Sequence, residues 1–186
     1  MKKIIFMLCL AIVSWGANAQ HDHSQMGNKS TIPPSIQVEN SQSATAVIDN
    51  YLALKNALVA DNGKLAASSG QILYDALAKF DISTKSTAQQ KELGEIIEDA
   101  KENAEHISEN GGDIEHQREH FVLLSKDIKD LIVIAGTDRT LYQMFCPMYN
   151  NNEGGMWLSE SKEIKNPLFG SKMLKCGSVQ QEISVK

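Results

Sequence analysis

The chain is short of several things. It has three cysteines in 186 residues, too few for a disulfide scaffold. Aromatic residues make up only 6% of it, so any core must rest on aliphatic side chains. Basic residues are outnumbered, 18 Lys and Arg against 23 Asp and Glu, and they form no cluster. That balance excludes the electrostatic footprint of a nucleic-acid partner. There is no Gly-x-Ser-x-Gly elbow, phosphate loop or His-Glu-x-x-His pair. Cys146-Pro147-Met148 lacks the second cysteine of a redox Cys-x-x-Cys. We therefore expect no enzymatic activity. What remains is a hydrophobic content of 42%, enough for one domain with its own core.

Residues 1–19 read as an export address. Lys2 and Lys3 precede a short apolar run, Ile4–Val13, and Ala17-Asn18-Ala19 is a small-residue cleavage site. The run is too short to span a bilayer. Cleavage removes Cys9 and leaves Cys146 and Cys176. The expected location is the periplasm, an oxidising compartment that permits disulfides, with no membrane insertion after cleavage. Residues 20–42 are polar, carry Pro33-Pro34 and read as a disordered linker. His21, His23 and Met26 within it either hold copper loosely or belong to an ordinary polar leader.

Residues 43–186 read as a single domain. Four helical patterns follow the linker. The first, from about Ala44 to Ala60, repeats Val47, Tyr51, Leu54 and Leu58 at helical spacing. The second, Lys64 to Phe80, carries Leu65, Ile72, Leu73, Ala76, Leu77 and Phe80. The third begins after Ser86-Thr87 and runs to about Asn110, with Leu93, Ile96, Ile97, Ala100, Ala104 and Ile107 on one face. The fourth starts at Asp113, a good N-cap, aligns Ile114, Phe121, Leu124, Ile128, Leu131 and Ala135, and stops at Gly136. Short connections favour antiparallel neighbours. The expected fold is all-α, an up-down four-helix bundle. Residues 141–182 read as an irregular C-terminal flap, in which Tyr142 to Phe145 and Met156 to Ser159 form a small hairpin.

Sulfur concentrates in that flap. Met144, Met148, Met156 and Met173 lie there, bracketed by Cys146 and Cys176. Soft thiolate and thioether ligands select Cu(I) over hard cations. Cys146-Pro147-Met148 sets two sulfurs two residues apart, and Met173-x-x-Cys176 sets two more within one turn. Three readings stand on spacing alone. Cys146, Met148, Met173 and Cys176 form a Cu(I) site, with Met156 in reserve; or Cys146 and Cys176 form a structural disulfide; or the methionines fill the core. His116 and His120, four apart, share a helix face and can chelate a metal or complete the sulfur site. They read equally as surface histidines on a charged helix, and His106 reads as exposed.

The chain also resembles a known family. Tyr142-x-x-x-Cys146-Pro147-Met148, Gly155-Met156-Trp157-Leu158-Ser159 and Ile164-x-Asn166-Pro167-x-Phe169-Gly170-x-x-Met173-x-x-Cys176-Gly177 are similar to a bacterial domain-of-unknown-function family, number three-three-four-seven. Tyr51-Leu52-x-Leu54-Lys55 and Gln117-Arg118-x-x-Phe121 carry the likeness into the helices, so it spans roughly Val47 to Glu182. The family occurs as single exported proteins and fused to periplasmic adaptor subunits of copper and silver efflux pumps. Its Cys-Pro-Met start is similar to short heavy-metal-binding domains, but Tyr149 stands where those have a ligating His, and Leu168 stands where the family often has an aromatic residue. The resemblance implies soft-metal binding of Cu(I) or Ag(I) by Cys146, Met148, Met173 and Cys176. Trp157 and Phe169 would shield the site or simply pack the flap. The implied role is a chaperone, buffer or efflux accessory, with a metal efflux adaptor or another envelope protein as partner. The alternative is a non-catalytic interaction module pinned by a Cys146–Cys176 disulfide.

Overall fold

The computed structural model describes residues 33–186. The expected signal peptide, and His21, His23 and Met26, lie outside the described residues. Four helices follow one another: α1 (Thr45–Val59), α2 (Gly63–Ala78), α3 (Thr87–Glu109) and α4 (Ile114–Ala135). Their starts are chemically marked. The Asn62 side chain accepts from the Leu65 N–H at 3.0 Å, and Asp113 accepts from the His116 N–H at 3.1 Å. Ser86 and Gln89 form a reciprocal capping box at the start of α3. Each helix packs on the next, and α1 also touches α4.

The core is aliphatic. Leu54, Leu58, Leu73, Leu77, Leu93, Ile107, Leu124 and Ile128 are buried within it. The buried face of α2 differs from the expected one. Leu65 and Ile72 are exposed, and Ala66, Ser69, Gly70, Leu73 and Leu77 face inward. Small residues are needed there because α3 comes close. A side-chain carbon on Gly70 would press against the Ala104 carbonyl and Ile107.

The domain is not all-α. A four-stranded sheet of order β1-β4-β2-β3 joins β1 (Ser35–Val38), β2 (Leu141–Cys146), β3 (Gly155–Ser159) and β4 (Ser178–Val185). The expected hairpin is present as β2 and β3, antiparallel with Met144 opposite Trp157. Two strands were missed. β4 pairs antiparallel with β2, and β1 pairs parallel with β4, Ile36 opposite Ile183. The flap is therefore largely regular, and the end of the expected linker is a strand. Backbone pairing between the two ends of the chain overrides the polar look of Ser35-Ile36-Gln37-Val38.

The sheet docks on the helices through buried polar contacts as well as apolar ones. The Tyr51 hydroxyl shares a 2.7 Å hydrogen bond with Ser125 and accepts from the Leu158 N–H at 2.9 Å, joining α1, α4 and β3. Burial raises its pKa far above the usual phenol range, so it stays protonated. No helix among the described residues is long and apolar enough to cross a membrane.

Candidate metal centres

Strand alternation sorts the sulfurs. Cross-strand partners share a face of a sheet. Met144 and Trp157 are partners, as are Cys146 and Gly155, and they face the core side. Phe145 and Met156 are partners on the opposite face, so Met156 points away from Cys146. Met144 is fully buried and packs in the core.

Cys146 ends β2 and Cys176 precedes β4, which pairs with β2. The two cysteines are free thiols, Cys146 buried and Cys176 partly exposed. Their side chains are neighbours, and the Cys146 thiol and the Met148 backbone N–H both act on the Cys176 thiol. Burial, then the neighbouring Cys146 thiol, push the Cys176 pKa above the usual thiol value, so this thiol holds its proton. The Trp157 ring lies against Gly177, where φ of +141° and the ring itself leave no room for a side chain.

The remaining sulfur residues are close in the chain but differently exposed. Met148 is 50% exposed, at the edge of a cavity of about 610 Å³ lined by Glu115, Glu119, Tyr149 and Phe169. Tyr149 and Phe169 meet edge to face at 5.8 Å beside it. Next along the chain, Asn150, Asn151 and Asn152 take positive φ in a tight turn, a conformation asparagine tolerates. Met173 closes a single 3₁₀ turn, Gly170–Met173, and its carbonyl accepts from the Cys176 N–H at 3.0 Å.

The loop carrying Met173 and Cys176 is held by residues with no ligand chemistry of their own. The Asn166 amide donates to the Cys176 carbonyl at 2.9 Å and its backbone N–H donates to the Leu174 carbonyl at 2.9 Å. Arg118 on α4 is 1% exposed and donates to the carbonyls of Pro167 and Leu58 and to the Asp61 carboxylate. A side chain at Gly170, φ +55°, would collide with both Asp61 and Arg118. Hydrogen bonds from Ser171, then the Arg118 guanidinium, bring the Asp61 carboxyl down to about 2. Arg118 and Asn166 sit in the quoted motifs, but no local signal revealed that they brace one loop.

The histidines group elsewhere. His116 and His120 turn toward α3, while Glu115 and Glu119 on the next face of α4 meet the Met148 cavity. They therefore meet His106 rather than the sulfurs. His106 is partly buried, not exposed as expected, because α3 and α4 pack side by side at this end. The rings of His106 and His120 stack with centroids 4.4 Å apart, and His116 meets His120 edge-on at 4.7 Å. One ligating atom from each of the three lies within 4.8 Å of the others. Burial, followed by the two neighbouring imidazoles, lowers the pKa of His120 below the usual imidazole value and favours its neutral form.

The comparisons with known proteins give one positive finding. The family model described as "Protein of unknown function (DUF3347)" matches residues 47–140. The matched segment contains α2, α3, α4, all of α1 after its first two residues and the three histidines, and it stops before Cys146. No curated protein and no solved structure matches the chain. With half its length covered by that match, the chain belongs to the DUF3347 family of proteins of unknown function.

Proposed function

We propose that the protein binds a soft metal ion, Cu(I) or Ag(I), through the sulfur group at the base of its sheet, and that it works as a chaperone, buffer or efflux accessory. One observation carries this reading. Two free thiols from distant parts of the chain lie in contact, one of them reachable from solvent. Thiolates suit a soft monovalent ion. A cation at the pair would displace the Cys176 proton that burial otherwise retains. Met148 and Met173, two and three residues from the cysteines in the chain, would supply the thioethers. Met156, on the opposite sheet face, drops out of the set.

The rest of the reading follows from the sequence. Residues 1–19 export the chain to the periplasm, where external metal ions arrive. The four helices serve as a non-catalytic, up-down bundle scaffold that fixes the sheet. Transfer proceeds by ligand exchange with a sulfur site on a partner, a metal efflux adaptor or another envelope protein.

The contact between the thiols favours a second reading, an interaction module in which a Cys146–Cys176 disulfide pins the sheet. Anaerobic Cu(I) titration against a competing chelator separates the two, with thiols counted beforehand. Metal handling requires two titratable thiols and a tight site. That site is lost in Cys176→Ser and weakened in Met148→Leu. No tight binding together with no free thiols sinks it and leaves the stapled module.

A further inference from the structure

Outside the sulfur group, the densest set of metal-ligating side chains among the described residues is the histidine cluster on the α3–α4 hairpin. We propose that His106, His116 and His120 form a separate metal centre that takes a borderline divalent cation of the Zn(II) type on three imidazole nitrogens.

The orientation of the His120 ring follows from its neighbours. The Asn103 amide nitrogen donates to the Asp99 carbonyl at 3.0 Å and to Asp127 at 3.2 Å. That fixes the amide, so its oxygen faces His120 Nδ1 at 3.0 Å. An acceptor at that distance puts the proton on Nδ1 and leaves the Nε2 lone pair free. His116 repeats the pattern, with Nδ1 3.2 Å from the Glu119 carboxylate. A metal-ligating histidine usually donates its other nitrogen to a carboxylate or a carbonyl-type oxygen in this way.

To share one ion, the nearly parallel His106 and His120 rings must turn until their nitrogen lone pairs converge. The three ligating atoms lie within 4.8 Å of one another. Zn–N bonds of about 2.0–2.1 Å in a tetrahedron set nitrogens about 3.3 Å apart. Tilting the stacked His106 and His120 rings together would close that gap. Three protein ligands leave a fourth position open, as in metal sites that bind water or exchange ligands. The surrounding charge is of the right sign. Glu102, Glu105 and Glu109 on α3 and Glu119 on α4 flank the histidines. Imidazole suits Zn(II) and Cu(II), whereas the thiol pair suits Cu(I), so the two centres divide ions by softness.

The test is Zn(II) titration of the whole protein against a chromophoric chelator, with X-ray absorption of the one-equivalent complex. The expected spectrum has a nitrogen and oxygen shell near 2.0 Å and no sulfur. His106→Ala and His120→Ala should each weaken Zn(II) more than tenfold. Asn103→Ala keeps all three ligands and should weaken it about 10–100-fold through loss of ring orientation. Circular dichroism of each variant must match the parent, and its Cu(I) affinity must be unchanged. That last readout keeps this centre distinguishable from the sulfur site. Sulfur in the zinc shell, or unchanged Zn(II) affinity in the histidine variants, overturns the proposal.

Discussion

Between Thr45 and Ala135 every helix packs on its neighbour in sequence, whereas β1 finds its partner β4 at the opposite end of the chain. The two regions are built on different logic. The helices assemble from local caps and short connections, and loop closure there costs little. The sheet forms only when residues far apart in sequence meet. Each region carries one candidate metal centre. The histidines sit on a helix hairpin inside the matched segment, and the thiols sit outside it, one at the end of β2 and one in the loop before β4. The thiol pair therefore rests on pairing between strands far apart in sequence, and the histidine cluster on the packing of two consecutive helices.

The strongest way to break that contrast is at the seam. Arg118→Ala removes the side-chain donor to the Pro167 carbonyl and one of two partners each of the Leu58 carbonyl and the Asp61 carboxylate. A loss of about 2–3 kcal/mol is expected from the lost hydrogen bonds and the space left by a buried side chain, read from the urea midpoint. Hydrogen exchange adds the decisive detail. Protection lost only in the strands means two separable units, and protection lost throughout means a single cooperative one. Tyr51→Phe removes the acceptor of the Leu158 N–H and the partner of Ser125, at a cost of about 1–3 kcal/mol.

A change confined to the helices sharpens the contrast from the other side. Ser86→Ala deletes one half of the α3 capping box and should cost about 1 kcal/mol. It touches nothing in the sheet, so the alkylation rate of Cys176 should not change. An altered rate would show that the helices and the thiol loop are coupled.

The smallest expected effect concerns pH. Burial, with Asp99 nearby, pushes the Asp127 carboxyl up to about 6. A carboxyl raised on folding favours the folded state while protonated, below its unfolded value near 4. That contribution fades as pH rises through about 6. Asp127→Asn should stabilise the protein at pH 7, by no more than about 1 kcal/mol because the group is half in solvent. The gain should vanish below about pH 4 in thermal melts. Asp61 opposes this trend. Held down to about 2, it contributes stability above pH 4 that is lost as pH falls toward that value.

The helices were legible because their information is local. Asn62, Ser86, Asp113 and Gly136 mark ends that the backbone obeys, and the apolar spacing of α4 names its buried face. α2 was read a step out of phase because its inward face is made of Ala66, Ser69 and Gly70, which hydrophobic periodicity undercounts. The sulfur group was legible as a composition, since Cys146 and Cys176 stand out in a chain with so little cysteine. Which sulfurs meet was not legible. Met156 lies two positions from Gly154 and looks as eligible as Met148, until strand register turns it to the other face.

The histidine cluster shows the same boundary from the other side. Spacing alone puts His116 and His120 on one face of α4, because the helical period is set by the backbone. Nothing in the sequence around His106 says that it joins them. That depends on the depth at which α3 packs on α4, set where Gly70 lets α2 and α3 close up and where Gln117 donates to the carbonyls of Gly63 and Ile107. Helix positions, caps and residue chemistry follow from the sequence because they involve neighbours within a few residues. The meeting of Cys146 with Cys176, of His106 with His120 and of β1 with β4 was decided by tertiary packing, because each joins atoms that no local rule brings together.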